Sequence, residues 1–347
     1  MRSIVNRFNF RGSIISIVED TIGLINTTYV VSSRHEKYIL QRINNLIFNN
    51  PKELMENIYL ATNYLKNIGR TTLDIVKSKE GQLYVVHQGE YWRAFRYIDS
   101  QTLLKVDNIR IVSESANILA LFHKDFNNFP IDKLCYTIPN FHNTVIIFQR
   151  FKDVLSDAPE HLSKQCIEEI NYILSKEKDC QFIQKLLSQN KIPLRVCHND
   201  PKISNFLFDI GLNAICLVDL DTLMPGTLLT DIADAIRTVC VSETEEESNL
   251  NKLYFKYDYF DGFIKSYLRV NKRGLNDYEI NNIVKSIELI FLEQGVRFLT
   301  DYLDGNCYFR VSYKNQNLIR AKNQLYFSEE VALNKKKLDK ILKQYIK

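Results

Sequence analysis

One short segment constrains this chain more than any other, the run VCHNDPKISNFLFD at residues 196–209. It places Asp200 and Asn205 in a polar stretch flanked by apolar residues that are typical of short strands. A second apolar stretch, residues 214–218, ends in Asp219, nineteen residues after Asp200. Polar loops held by packed strands are common places for functional residues, so this spacing indicates a site built on a core.

The residue types in this segment suit phosphoryl transfer. That reaction needs a carboxylate to orient the attacking hydroxyl, and hard oxygen ligands to hold magnesium against the triphosphate. Asp200 can supply the carboxylate, and Asn205 and Asp219 are predicted to hold the metal. Lys202, two residues after Asp200, lies within reach of the transferred phosphate. Protein kinases combine the same residue types in the same order.

Asp221 is a further candidate metal ligand. It lies two residues after Asp219, and side chains two apart in an extended segment share a face, so either carboxylate can reach the metal. Taken singly, these residues also have structural interpretations. His198 is expected to pack and brace the loop, and Asp200 and Asn205 are typical turn residues. Their conjunction favours phosphoryl transfer.

The chain changes character near residue 97. Strands are predicted around residues 14–18, 27–32, 37–42, 83–87 and 91–97, with one helix from Pro51 to about Ile68. Helical periodicity then dominates, with a long helix from residue 280 to about 302 and short strands at 195–197, 205–208 and 214–219. We therefore predict an α+β chain of two lobes: an antiparallel-sheet lobe with one helix over residues 1–97, and a larger, mainly helical lobe over residues 98–347.

Composition argues against several classes of protein. The net charge is only +4, and Lys and Arg are spread along the chain, whereas nucleic-acid binders concentrate their positive charge. No run approaches the roughly 18 apolar residues that span a membrane. The seven cysteines form no CxxC pair, a usage typical of a reducing cytosol. We expect a cytoplasmic monomer without nucleic-acid or membrane partners.

The chain resembles the aminoglycoside phosphotransferase and choline kinase superfamily, which has a bilobal protein-kinase-like fold. The residues that carry this resemblance are His198, Asp200, Asn205 and Asp219, with the DIADA segment at 231–235. A narrower resemblance, to bacterial N-acetylhexosamine 1-kinases, covers nearly the whole chain. It rests on residues 23–29, 38–44, 50–57, 218–226, 292–303 and 308–309.

The resemblance implies an ATP- and Mg²⁺-dependent kinase with Asp200 as the base and Asp219 as the main metal ligand. It places Gly23, Ile39, Gln41 and Glu56 near the nucleotide, and Arg297, Tyr308, Glu293 and Tyr302 around a sugar acceptor. The acceptor that it implies is an N-acetylhexosamine, phosphorylated at its anomeric hydroxyl.

The chain also departs from these families. The loop expected over the phosphates contains only Gly23 instead of a glycine-rich motif, and Leu24 stands where the sugar kinases often have His. Gln41 stands where kinases have a nucleotide-binding Lys. Gln41 and Arg42 point to opposite faces of a strand, so only one can face the nucleotide. We expect it to be Gln41, with the usual ion pair to Glu56 weakened or replaced.

Charge and aromatic content discriminate between acceptors. Residues 295–324 carry five basic and two acidic side chains, a net charge of +3 that disfavours polycationic aminoglycosides. The only Trp, Trp92, lies in the other lobe, which disfavours an aromatic cage for choline. Three alternatives stay open: an Arg297–Asp301 pair that serves only the helix, another small hydroxylated acceptor, and a non-catalytic nucleotide-binding protein.

Overall fold

Three stretches of chain that are far apart in sequence pack into one unit in the computed structural model of the protein, which describes residues 1–20 and 25–346. Unit 1 consists of Met1–Gln101, Pro130–Pro139 and Val218–Met224, and unit 2 contains the rest of the described chain. The two later segments of unit 1 belong to the part of the sequence that we assigned to the C-terminal lobe. The division into a nucleotide-binding lobe and an acceptor-binding lobe stays a prediction.

Unit 1 is built on an antiparallel sheet of order β1-β2-β3-β5-β4. A short helix α1 (Arg2–Val5) precedes its strands, which are β1 (Ile14–Asp20), β2 (Thr27–Ser33), β3 (Lys37–Ile43), β4 (Val85–His87) and β5 (Glu90–Arg96). Leu40 of β3 lies opposite Ala94 of β5, and both are fully buried. Since side chains alternate along a strand, the next pair in register, Gln41 and Arg93, points to the other face of the sheet.

The helix of unit 1, α2 (Pro51–Asn67), begins as the sequence predicts. The Asn50 side chain accepts a hydrogen bond from the backbone N–H of Glu53 at 3.3 Å, and Pro51 occupies the first helical position. On its buried face, the Asn57 amide donates to the carbonyls of Cys135 and Leu223, at 2.8 and 3.0 Å. One side chain of α2 therefore binds both of the later segments into unit 1.

Unit 2 is mainly helical. Its helices are α3 (Ile109–Asp125), α4 (Thr144–Asp157), α5 (Glu160–Gln165), α6 (Ile167–Ser175), α7 (Phe182–Ser188), α8 (Leu228–Val239), α9 (Tyr257–Asn271), α10 (Asp277–Asn281), α11 (Ile283–Leu303), α12 (Gln316–Leu333) and α13 (Lys335–Ile346). None of the helices in the described part of the chain is long and apolar enough to cross a membrane.

Helix α11 forms the centre of unit 2 and packs against α12, α8 and α4. Gly295 lies where α11 packs against α12. A Cβ at this position would lie 2.5 Å from Leu325 Cδ2, so the close packing depends on the absence of a side chain. We predicted one long helix from residue 280, and the structure instead separates α10 from α11 at Asn282. A capping box of Asn276 and Glu279 fixes the start of the short helix α10.

Short strands carry the polar segment that we singled out in the sequence. They are β6 (Arg195–Cys197), β7 (Phe206–Phe208), β8 (Ala214–Leu217) and β9 (Met224–Gly226), paired as β6 with β9 and β7 with β8. All three residues of β7 are buried, so the loop between β6 and β7 is anchored at its C-terminal end by the core. The predicted strands at 205–208 and 214–219 are shorter in the structure by one and two residues.

Candidate active site

The loop between β6 and β7 brings three of the predicted residues into contact. Lys202 Nζ donates to Asp200 Oδ2 at 2.6 Å. Asn205 lies at the end of a 3-10 turn (Ile203–Asn205), and its Nδ2 donates to the Asp200 carbonyl at 2.8 Å and to Asp200 Oδ2 at 3.2 Å. A carboxylate, an ammonium group and an amide are thus grouped within six residues of chain, as the spacing predicts.

Asp200 is held in its ionised form. Burial opposes its negative charge, but Lys202, His198 and Arg237 outweigh that effect and keep the pKa of Asp200 below its usual value. An ionised carboxylate accepts hydrogen bonds and does not donate them, so Asp200 can orient an incoming hydroxyl by accepting its proton.

A buried carboxylate on α8 fixes the backbone of this loop. Asp231 is fully buried, and its two oxygens accept from the backbone N–H groups of His198 and Asn199, both at 2.7 Å. His123 Nε2 lies 2.9 Å from the same carboxylate. Asn199 has a positive φ of 63°, and a Cβ on Gly226 would approach its Oδ1 to 2.3 Å. Gly226 therefore lets the chain pass against the loop, and His198 is buried as expected of a bracing residue.

Asn205 has an oxygen suited to a cation. Its Nδ2 is used by Asp200, and no described residue donates to its Oδ1. No cluster of three or more His, Cys, Asp or Glu side chains within residues 1–20 and 25–346 could hold a metal by itself. The Asn205 amide oxygen is a hard ligand of the kind that Mg²⁺ prefers, and the joint role of Asn205 and Asp219 as its ligands stays a prediction.

Asp219 and Asp221 lie in unit 1 and differ sharply in their surroundings. Asp219 is exposed and adopts the left-handed conformation, with φ 60° and ψ 55°. Asp221 is buried, and its two oxygens accept from both terminal nitrogens of Arg93, with Nη2–Oδ2 at 2.9 Å. Asn26 Nδ2 adds a hydrogen bond of 2.7 Å to Oδ2. Both carboxylate oxygens of Asp221 therefore have partners in unit 1, and the metal-ligand role that we predicted for this residue stays a prediction.

Arg93 also joins Gln41, the residue in place of the usual kinase lysine. Arg93 Nε donates to Gln41 Oε1 at 3.0 Å, and Gln41 Nε2 donates to Thr28 Oγ1 at 3.1 Å. Arg42 points to the other face of the sheet, where it is exposed and its Nη1 lies 3.6 Å from Glu90 Oε1. The positive charge on the Gln41 face of the sheet therefore comes from the neighbouring strand β5.

The other residues predicted near the nucleotide are Glu56, Ile39 and Gly23. Glu56 is exposed on α2, and no ion pair joins it to another described residue. Ile39 is half-buried on β3, opposite Phe95. Gly23 lies outside the described residues. The carboxylate that pairs with a cation beside Gln41 is thus Asp221 rather than Glu56.

Two of the predicted acceptor residues form an ion pair on α11. Arg297 Nε donates to Glu293 Oε1 at 3.1 Å, one turn earlier on the helix. The Arg297 guanidinium lies over the Phe141 ring, 4.5 Å from its centroid. Burial opposes the charge of Glu293, but His142 and Arg297 outweigh it and hold the pKa of Glu293 below its usual value. Arg297 therefore pairs with Glu293 and not with Asp301.

Asp301 instead binds the backbone at Tyr308 and Phe309. Its oxygens accept from the backbone N–H groups of Tyr308 and Phe309, at 2.7 and 2.9 Å. Burial raises the pKa of Tyr308, Arg297 opposes this rise and Asp200 adds to it. Tyr302 does not join these residues, because its ring is buried and its hydroxyl donates to Gln165 Oε1 at 3.0 Å. The structure gives Tyr302 a packing contact between α11 and α5.

Two residues of the site were missed in the sequence. Arg93 stands between the buried Trp92 and Ala94 on β5, and an arginine in the middle of a mostly apolar strand indicates a buried charge that needs a partner. His142, whose Nδ1 lies 2.7 Å from Glu293 Oε1, precedes α4 in a loop without any periodic pattern. Nothing in the sequence near residue 142 indicates its partner.

Comparisons with known proteins identify the family and the fold of this chain. The model of the phosphotransferase enzyme family (APH) matches residues 16–259, more than half of the chain. An aminoglycoside phosphotransferase from Alicyclobacillus acidocaldarius has a similar structure, with a TM-score of 0.63 at 14% identity, over 99% of this chain and 96% of that one. An amicoumacin kinase in complex with AMP-PNP, Ca²⁺ and Ami matches with a TM-score of 0.62 at 14% identity, over 91% of this chain and 88% of that one.

A choline kinase from Cryptosporidium parvum matches with a TM-score of 0.59 at 16% identity, over 96% of this chain and 93% of that one. At these identities the likeness concerns the fold, and it confirms the predicted protein-kinase-like architecture of an antiparallel sheet followed by a mainly helical part. The family match extends over the sheet, the loop of Asp200 and the helix that braces it. The chain is a member of the APH phosphotransferase enzyme family.

Proposed function

We propose that this protein is an ATP- and Mg²⁺-dependent kinase of a small hydroxylated molecule. The observation that carries the proposal is the contact of Asp200 with Lys202 and Asn205 in one braced loop. In this proposal Asp200 orients the acceptor hydroxyl and takes up its proton, and Lys202 offsets charge on the transferred phosphate. Asn205 and Asp219 hold Mg²⁺, which neutralises the triphosphate. The similar amicoumacin kinase, which binds AMP-PNP and Ca²⁺, supports a nucleotide and a divalent cation here.

We further propose that the acceptor is a neutral or anionic sugar, with an N-acetylhexosamine phosphorylated at its anomeric hydroxyl as the first candidate. The support is the charge around Arg297. Glu293, the carboxylate that could attract a cationic acceptor, is shared between His142 and Arg297. The terminal nitrogens of Arg297 have no hydrogen-bond partner among the described residues, so they can donate to hydroxyl or amide oxygens. The choice of hexosamine rests on the resemblance of residues 292–303 and 308–309.

The kinase proposal is tested by ADP release in the presence of Mg²⁺ over a panel of free sugars, N-acetylhexosamines, aminoglycosides and choline. Asp200→Asn should lower kcat by about 10²- to 10⁴-fold and leave the KM for ATP nearly unchanged, because a general base acts mainly in the transition state. Asp209→Asn is the matched control, since Asp209 serves a turn with Asn213 after β7. Near wild-type turnover of Asp200→Asn would refute the mechanism.

The acceptor proposal is tested by Arg297→Ala. A hydrogen bond to a charged group contributes about 1.5–3 kcal/mol, so kcat/KM for the sugar should fall by about 10- to 150-fold while the KM for ATP is unchanged. The control is Arg269→Ala on α9, an exposed arginine bonded to Asn117. Turnover of choline or an aminoglycoside but of no sugar would overturn the sugar proposal and leave the kinase proposal standing.

A further inference from the structure

His142 lies at the point where the catalytic loop meets the helix of the acceptor residues. Its Nδ1 is 2.7 Å from Glu293 Oε1 on α11, and its Nε2 is 2.8 Å from the backbone carbonyl oxygen of Asn199. Asn199 immediately precedes Asp200, and its own N–H is held by Asp231. The imidazole ring therefore bridges the peptide next to the proposed base and the carboxylate that pairs with Arg297.

The chemistry of the two partners fixes the protonation of this ring. A carbonyl oxygen and an ionised carboxylate can only accept hydrogen bonds. A neutral imidazole has one N–H, so it can donate to Glu293 or to Asn199 but not to both. Both contacts are within hydrogen-bond distance, and they are both satisfied only when each ring nitrogen carries a proton.

The charges around the ring agree with this geometry. Burial opposes a proton on His142, Glu293 and the Asn199 carbonyl favour it, Arg297 opposes it, and the balance raises the pKa of His142. Asp234 on α8 is a further carboxylate close enough to interact with the ring charge. The ring also meets Phe141 edge-on, with centroids 4.6 Å apart, which contributes no charge.

We propose that His142 is a positioning residue, held as an imidazolium, which ties the backbone beside Asp200 to the α11 carboxylate Glu293. This inference rests on the proposed function for its kinetic consequence, but the charge of the ring does not depend on it. Loss of one ring proton breaks one of the two hydrogen bonds and sets a nitrogen lone pair against an oxygen lone pair. Either Asn199 or Glu293 is then released, and the orientation of Asp200 relative to Arg297 is lost.

The kinetic test is the pH dependence of kcat for the wild type and for Glu293→Gln and His142→Gln. The wild type should lose kcat on the alkaline side, where the ring deprotonates. Glu293→Gln removes the charge that favours the proton, so this loss should move about one to three pH units lower. His142→Gln should reduce kcat at every pH and abolish the alkaline loss, with little change in the KM for ATP. His161→Gln, at an exposed histidine on α5, is the control.

If the wild type, Glu293→Gln and His142→Gln all lost kcat at the same alkaline pH, the inference would be overturned. The loss would then come from a group other than His142. A second measurement does not depend on activity or on the folding of His142→Gln. In the full-length protein with ¹⁵N-labelled histidine, the ring signals of His142 are identified as those that Glu293→Gln shifts. In the wild type these signals should show two protonated nitrogens at neutral pH. A neutral ring at pH 7 would overturn the proposal for His142, whereas absence of turnover with every acceptor would overturn only the proposed function.

Discussion

The ion pair between Arg93 and Asp221 provides the sharpest test of the structure, and the perturbation is Arg93→Met. The Arg93 side chain is 1% exposed and that of Asp221 is 4% exposed, so the pair is removed from water. Methionine keeps an unbranched apolar chain but removes the charge and all three hydrogen bonds of the guanidinium. Among the residues that the structure describes, the carboxylate of Asp221 would then keep only the 2.7 Å hydrogen bond from Asn26.

The expected magnitude follows from this isolation. Removal of one partner of a buried ion pair costs about 3–5 kcal/mol, because an uncompensated charge stays buried. The hydrogen bond from Asn26 persists, so we expect the lower end of that range, about 3 kcal/mol. Arg96→Met is the matched control on the same strand. Arg96 pairs with Glu36 and Asp74 and is 39% exposed, so its loss should cost at most about 1 kcal/mol.

The assay is unfolding in urea, read as the change in the free energy of unfolding for Arg93→Met, Asp221→Asn and the double variant. The double variant should be clearly more stable than the sum of the two single losses predicts, because the second substitution removes the charge that the first left unpaired. A loss below about 1 kcal/mol for Arg93→Met would show that the Arg93–Asp221 pair is not isolated from water. The Mg²⁺ dependence of turnover distinguishes the two aspartates. Asp219→Asn should weaken the apparent affinity for Mg²⁺, whereas the main effect of Asp221→Asn should be the loss of stability.

Three further outcomes are expected. Lys202→Met removes a cation that lowers the pKa of Asp200, so the acid limb of kcat/KM should move to higher pH; an unmoved limb would mean that Lys202 does not act on Asp200. Asp231→Asn places an amide NH₂ against backbone N–H groups, so it should lower the free energy of unfolding by about 1–3 kcal/mol and should also lower kcat. Gly295→Ala should cost about 1–3 kcal/mol by overpacking, measured by urea unfolding, and more than Gly262→Ala, whose added Cβ meets only the end of a flexible side chain at 3.0 Å.

Local patterns were enough to predict most of the fold. The Asn50-Pro51 start of α2, the alternation along β3 and the polar loop of Asp200 are each encoded by residues that are close together in sequence. For the same reason, the contacts among Asp200, Lys202 and Asn205 follow from a spacing of a few residues. The helix boundary at Asn282 was missed because the apolar periodicity continues through it.

The contacts that assign partners could not be predicted from local patterns. Arg93 and Asp221 are separated by 128 residues, and His142 and Glu293 by 151. Each partner alone has an ordinary local explanation, and only the three-dimensional arrangement shows that one neutralises the other. The two-residue spacing of Asp219 and Asp221 predicts a shared face for their side chains, but it carries no information about a cation on a distant strand.

The assembly of unit 1 from three stretches of chain has a consequence for its synthesis on the ribosome. The sheet of residues 1–101 emerges first, but Asp221, the partner of the buried Arg93, follows about 120 residues later. At roughly 5–20 residues per second, translation leaves Arg93 without its carboxylate for about 6–25 s. A nascent chain or fragment ending at residue 101 should therefore be loosely packed and prone to chaperone binding. Slow hydrogen exchange in such a fragment, equal to that of the same strands in the whole protein, would show that the sheet can form without the later segments.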